Sequence, residues 1–125
     1  MADSKKILLI DDDQHIQLLF GMALELEGFE PLYASDGKTA MGLLQTEKPD
    51  AITLDMMMPI LDGMGFLRWL REEAKLDIPV LVLTGMHTAK TKDEVMGLGA
   101  SDVAFKPIQI PELIQRINNM LGVAS

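Results

Sequence analysis

Four aliphatic runs set the strongest limit on what this chain can fold into: Ile7-Leu8-Leu9-Ile10, Ala51-Ile52-Thr53-Leu54, Val80-Leu81-Val82-Leu83 and the shorter Val103-Ala104-Phe105. None alternates apolar with charged residues, so a strand made from one must be covered on both faces, which is the condition of a parallel sheet between two helical layers. The intervening chain supplies such layers. Apolar residues at helical spacing begin with Ile16, Leu19, Phe20 and Ala23 and end with Ile110, Leu113, Ile114, Ile117 and Leu121. A weaker fifth strand, Pro31 to Ala34, follows Gly28.

Helix punctuation agrees with this division. Asp13 is placed to cap a helix over 14–27, Asp36 one over 37–46, and Asp62-Gly63 introduces one over 64–75. A helix over 88–98 is weakened by Thr88, Thr91, Gly97 and Gly99. In the last helix Pro111 falls in the first turn, where its missing N–H is harmless, and Gly122 closes the far end. Strand and helix alternating five times predict an α/β fold: a five-stranded parallel sheet in the order 2-1-3-4-5 with helices on both faces. With 125 residues, 48% of them apolar, and no linker, long-period repeat or low-complexity tract, residues 1–125 are expected to form a single domain.

Composition removes several functions. No apolar run approaches the ~20 residues of a bilayer-spanning helix, so no membrane association is expected. The start, Met-Ala-Asp-Ser-Lys-Lys, has no secretory pattern, and the absence of cysteine removes disulfides and thiolate metal sites; both fit a cytoplasmic protein. A net charge of −8, with Lys and Arg scattered, gives a nucleic acid backbone nothing to bind, so no nucleic acid partner is expected.

In a doubly wound sheet the ligand site lies beyond the carboxyl ends of the strands, at the switch between strands 1 and 3. There the first strand ends in Asp11-Asp12-Asp13 and the third in Asp55. Carboxylates brought together this way raise one another's pKa unless a cation is present. All-oxygen ligands without His or Cys select Mg²⁺, or Mn²⁺ as a close relative, and Mg²⁺ is commonly held by one or two carboxylates plus a phosphate oxygen. Strand 4 ends in Thr84-Gly85 and strand 5 in Lys106-Pro107, adding a hydroxyl and a cation at the same edge. Asp11, Asp12 and Asp55 are balanced in charge by one divalent ion and Lys106. An ionised Asp55 is then a candidate nucleophile toward phosphorus.

These residues, in order and at matching strand ends, resemble the response regulator receiver domains of two-component signalling. The matching pieces are Ile7 to Asp13, Leu54-Asp55-Met56-Met57-Met58-Pro59 with Asp62-Gly63, Val82-Leu83-Thr84-Gly85, and Gly99-Ala100-Ser101-Asp102 leading to Lys106-Pro107. The resemblance spans nearly the whole chain and implies a flavodoxin-like receiver fold. It further implies that Asp55 accepts the phosphoryl group from a sensor histidine kinase or phosphotransfer protein. Asp12, Asp55 and the Met57 carbonyl would ligate Mg²⁺, with Asp11 acting mainly through metal-bound water. Lys106 and Thr84 would contact phosphoryl oxygens, and the Lys106-Pro107 bond would be cis. Receivers catalyse only their own phosphorylation and dephosphorylation, and they signal to a downstream protein as monomers or weak dimers.

Two positions depart from the family pattern. Gly85 stands where Ala is usual after the threonine, and Val103, three residues before Lys106, stands where many members carry Tyr or Phe. The usual readout, an aromatic ring that changes rotamer beside helix 4, strand 5 and helix 5, is therefore expected to be altered; Phe105 shares the parity of Val103 along the strand. Two other functional classes place related groups at these strand ends. A small Mg-dependent phosphohydrolase with an Asp nucleophile, of the haloacid dehalogenase type, wants a Thr after its second Asp, which Asp11-Asp12-Asp13-Gln14-His15 lacks. A flavodoxin-like electron carrier wants a Ser/Thr/Gly-rich loop after strand 1, where three carboxylates would repel a flavin phosphate. His15 is expected to be an exposed helix residue, His87 to lie near the site entrance, Met56-Met57-Met58 to pack at a strand end, and Phe66, Trp69 and Leu70 to form a helix face against the sheet.

Overall fold

The computed structural model describes residues 4–56, 63–85 and 89–122. Five strands, β1 (Lys6–Ile10), β2 (Glu30–Ala34), β3 (Ala51–Asp55), β4 (Val80–Thr84) and β5 (Asp102–Phe105), form one parallel sheet in the order β2-β1-β3-β4-β5. The helices between them are α1 (Gln14–Leu26), α2 (Gly37–Leu43), α3 (Gly63–Arg68), α4 (Ala89–Gly97) and α5 (Ile110–Leu121). The expected fold class and strand order are those observed.

Strand parity divides the core in two. Leu8, Ile10, Ile52, Leu54, Val80, Val82 and Val103 face α2, α3 and α4, where Phe66, Leu67, Leu70 and Val95 are fully buried. Ile7, Leu9, Ala51, Leu81, Leu83 and Ala104 face α1 and α5 and meet Phe20, Leu24, Leu113 and Ile117. Each such side chain withdrawn from water contributes about 1.5–3 kcal/mol, so both layers are needed to hold the sheet. β2 forms one edge and is only partly covered, which is why its sequence is the least apolar of the five.

The caps behave as read. Asp13 Oδ1 accepts from the backbone N–H groups of His15 and Ile16, and Asp36 Oδ1 accepts from Thr39 N at 2.7 Å. Gly122 ends α5 in the left-handed conformation, φ 71°. Asp62 and Thr88 lie outside the described residues. Two helices depart from the expected bounds. α2 stops at Leu43, with Gln45 and Thr46 closing onto the carbonyls of Gly42 and Leu43 as turns. The continuous helix expected over 64–75 is instead α3 followed by a π-helical turn, Trp69–Glu73, in which Ala74 N reaches back to Trp69 O. Lys75 then takes φ 55°, which ends the segment, and Arg71 ties it down through Nη1 to Leu76 O at 2.7 Å and Nε to Gly99 O at 3.0 Å. Phe66 and Trp69 keep their rings 5.8 Å apart, with Leu70 buried beside them, as the helical spacing implied. No helix among the described residues is long and apolar enough to cross a membrane.

Candidate functional site

β1 and β3 are neighbours with Ile10 opposite Leu54, so the next residues of each strand, Asp11 and Asp55, emerge side by side. One carboxylate oxygen from each of Asp11, Asp12 and Asp55 lies within 4.8 Å of the other two. Asp11 and Asp55 are buried, at 6% and 3% exposure, whereas Asp12 is exposed. Lys106 follows β5 and reaches across the end of β4, placing Nζ 2.7 Å from Asp55 Oδ1. Its backbone N–H donates to Thr84 O at 2.8 Å, and Thr84, the last residue of β4, is itself buried. The Lys106-Pro107 bond is cis. The structure thus brings Asp11, Asp12, Asp55, Thr84 and Lys106 to one edge of the sheet, while Met57 lies outside the described residues.

The electrostatics follow from that crowding. Loss of water around Asp11 pushes its pKa from 3.8 up to about 6, and the nearby Asp55 and Asp12 charges push the same way. The Asp13 N–H, which donates to Asp11 Oδ1 at 2.9 Å, and the Lys106 cation oppose the rise without cancelling it. One lysine is therefore too little positive charge for three carboxylates. Oxygen donors alone, short of compensating charge, are the chemistry of a hard divalent cation site.

His15 is exposed on the first turn of α1, Met56 is half-buried against the core, and His87 and Met58 lie outside the described residues. Val103 is buried in the layer facing α2, α3 and α4, and Phe105, on the same face, is partly buried and opposite Thr84 in register. Gly63 lies under the end of β3: a Cβ there would stand 2.8 Å from Met56 Cα and 3.0 Å from Asp55 O.

Gln17, which belongs to no strand end and no motif, touches the site's backbone. Its Nε2 donates to Asp11 O and to Ala34 O, both at 2.8 Å, joining α1 to the ends of β1 and β2. On the α1 side a cleft of about 450 Å³ runs from Asp11 and Lys106 past Pro107 and Ile108 to Ile16 and Leu19. Leu18, Met22 and Leu26 continue an apolar row along α1 with exposures of 62%, 58% and 88%.

Comparison with known proteins agrees with this geometry. Residues 7–118 match the response regulator receiver domain family. The chain is 41% identical over 120 residues to the alkaline phosphatase synthesis transcriptional regulatory protein PhoP of Bacillus subtilis, covering 94% of this chain and 49% of that protein. It is 35% identical over 116 residues to the response regulator MprA of Mycolicibacterium vanbaalenii, covering 93% and 50%. The chain thus spans about half the length of these relatives. Among solved structures, the receiver domain of Francisella response regulator 1452 superposes with a TM-score of 0.90 at 34% identity, covering 95% of this chain and 98% of that one. The chemotaxis response regulator CheY4 of Vibrio cholerae gives 0.89 at 28% identity, covering 95% and 100%. With the sheet order, the acidic triad and these likenesses together, the chain belongs to the response regulator receiver domain family of two-component signalling.

Proposed function

We propose that residues 1–125 act as one phosphoacceptor unit in which Asp55 takes a phosphoryl group from a sensor histidine kinase or phosphotransfer protein. The observation that carries this reading is Lys106 Nζ at 2.7 Å from Asp55 Oδ1 beside the Asp11, Asp12 and Asp55 cluster. The cluster fits Mg²⁺, or Mn²⁺, because its donors are all oxygen and its charge is under-compensated; Asp11, Asp12, Asp55 and the Met57 carbonyl are the residues that would hold the ion. When bound, the ion supplies charge neutralisation for the incoming phosphoryl oxygens.

In the transfer, an Asp55 carboxylate oxygen forms a bond to phosphorus while the phosphorus–nitrogen bond of phosphohistidine breaks. The electron pair stays on the leaving imidazole nitrogen, which takes up a proton. Lys106 moves from Asp55 to a phosphoryl oxygen, a charge-assisted contact, and the Thr84 hydroxyl donates to another. On this reading the chain is a cytoplasmic switch that turns over no external substrate and passes its state to a downstream protein. The kinase or phosphotransfer partner approaches over α1, since the cleft beside Asp11 and Lys106 opens onto Ile16 and Leu19 and continues in the row Leu18, Met22 and Leu26. Replacing Leu18 and Met22 by Glu leaves labelling by acetyl phosphate intact and abolishes transfer from a panel of phosphorylated histidine kinases.

Intact-mass measurement after incubation with acetyl phosphate tests the central claim. A phosphoryl adduct that requires Mg²⁺ and is absent from Asp55→Asn supports it; equal labelling of the variant, or none of the native chain, refutes it. The output surface is proposed to work without an aromatic ring at position 103. Buried Val103 has too little side chain to swing, and Phe105, opposite Thr84, is the aromatic group that senses the threonine. Chemical-shift changes on beryllofluoride addition centred on Phe105 would support this. Their absence from β5 would refute it.

A further inference from the structure

Asp12 is exposed, yet a metal ligand must be held in place before the ion arrives. Its side chain has one short tether, so its position depends on the two peptide groups that flank its Cα. The following peptide is fixed from inside the loop, because Asp13 N donates to Asp11 Oδ1 at 2.9 Å. The preceding peptide, whose carbonyl is Asp11 O, is fixed from outside by Gln17 Nε2 at 2.8 Å. The backbone N–H of the same Gln17 donates to Asp13 O at 3.1 Å, so one residue grips both ends of the Asp11-Asp12-Asp13 loop. The second amide hydrogen of Gln17 goes to Ala34 O, which also accepts from Asp11 N at 3.1 Å. That carbonyl, at the end of β2, is the fixed post to which both the loop and the helix are tied.

We propose that Gln17 is a positioning residue that sets the metal-binding loop, holding the Asp12 carboxylate toward Asp11 and Asp55 through the bridge from Asp11 O to Ala34 O. It touches neither the ion nor the phosphoryl group. A neutral side chain with two N–H groups suits the task. A carboxylate would face two carbonyl oxygens, and a hydrocarbon would take the side-chain donor from Asp11 O and leave Ala34 O with the Asp11 N–H alone. The proposal rests on the reading of the acidic cluster as a divalent cation site.

Calorimetric titration with MgCl₂ at neutral pH, on the native chain and on Gln17→Met, separates the two claims. Met has nearly the volume of Gln and adds no charge, so the change removes the amide, and with it both N–H donors, at nearly constant size. The expected result is Mg²⁺ binding about 10-fold weaker in Gln17→Met, with the folded fraction unchanged. Gln14→Met, the same chemical change at an exposed position on the same turn, leaves the affinity as in the native chain. Amide spectra without metal give an independent readout: the Asp12 and Asp13 resonances broaden or split in Gln17→Met while those of β4 do not move. If Gln17→Met does not fold, Gln17→Asn, which keeps the amide but is one methylene too short for both carbonyls, is expected to weaken Mg²⁺ binding in the same way. Affinity within twofold of native in the folded variant overturns the role of Gln17. No Mg²⁺ binding by the native chain overturns the cation site itself.

Discussion

Replacing Asp11 by Asn tests the electrostatic account at its most stressed point. A buried carboxyl that ionises near pH 6 in the folded chain and near 3.8 when unfolded gives up about 3 kcal/mol of stability when charged at neutral pH. The sign follows from proton binding. The folded state holds the proton more tightly, so stability is greatest at acid pH on this account and is lost as pH rises from about 4 through about 6. Asn cannot ionise and keeps an oxygen for the Asp13 N–H, but it deprives Lys106 of part of its negative surroundings, which returns some of the gain. The expected net gain is about 1–2 kcal/mol at about pH 7.5 in EDTA, or roughly 5 °C in Tm for a chain of this length. At about pH 4 the advantage falls to about 0.5 kcal/mol or less, because the native carboxyl is then protonated. Adding Mg²⁺ at a hundredfold excess over its Kd stabilises the native chain by about 2.7 kcal/mol and reverses the order. Urea unfolding at both pH values, with EDTA and with Mg²⁺, measures all of this. An Asn variant less stable than native in EDTA at the higher pH, or an advantage that does not shrink in acid, would refute the reasoning.

Lys106→Met removes the 2.7 Å partner of Asp55, so Asp11 is expected to ionise at still higher pH, visible in carboxyl carbon shifts, with a stability loss of about 1 kcal/mol in urea unfolding. Gly63→Ala places a Cβ 2.8 Å from Met56 Cα; because backbone rather than a side-chain tip must yield, labelling by acetyl phosphate slows and Tm falls. Gly99→Ala meets both a φ of 106° and Arg71 Cγ at 2.8 Å, so a loss of about 1–3 kcal/mol is expected by denaturant unfolding, without change in Mg²⁺ affinity.

The parts of the fold that were legible in the sequence are those where one local rule suffices. Uninterrupted aliphatic runs predict strands covered on both faces, and Asp13, Asp36 and Gly122 end helices by hydrogen bonds and dihedral angles confined to a few neighbouring residues. The π-helical turn at Trp69–Glu73 was not legible. The i→i−4 and i→i−5 ladders draw on the same residues, and what selects between them is how Leu70 seats in the core and how Arg71 reaches Leu76 O and Gly99 O.

The candidate site shows the same division. Carboxylates at strand ends are a chain-local signal, and sheet order turns that signal into a place: Asp11 and Asp55 are 44 residues apart in sequence and neighbours only because β1 pairs with β3. The sequence alone determined which chemical groups are present, which strands carry them, and that helices cover both faces of the sheet; which helices cover which face came from the packing. Only the tertiary structure decided how those groups feel one another. The 2.7 Å contact of Lys106 with Asp55, the loss of water that lifts Asp11 to about 6, and the grip of Gln17 on Asp11 O and Ala34 O all join separate elements. Charge and hydrogen-bond energies depend on distance and on exclusion of water, and neither is a property of residues taken along the chain.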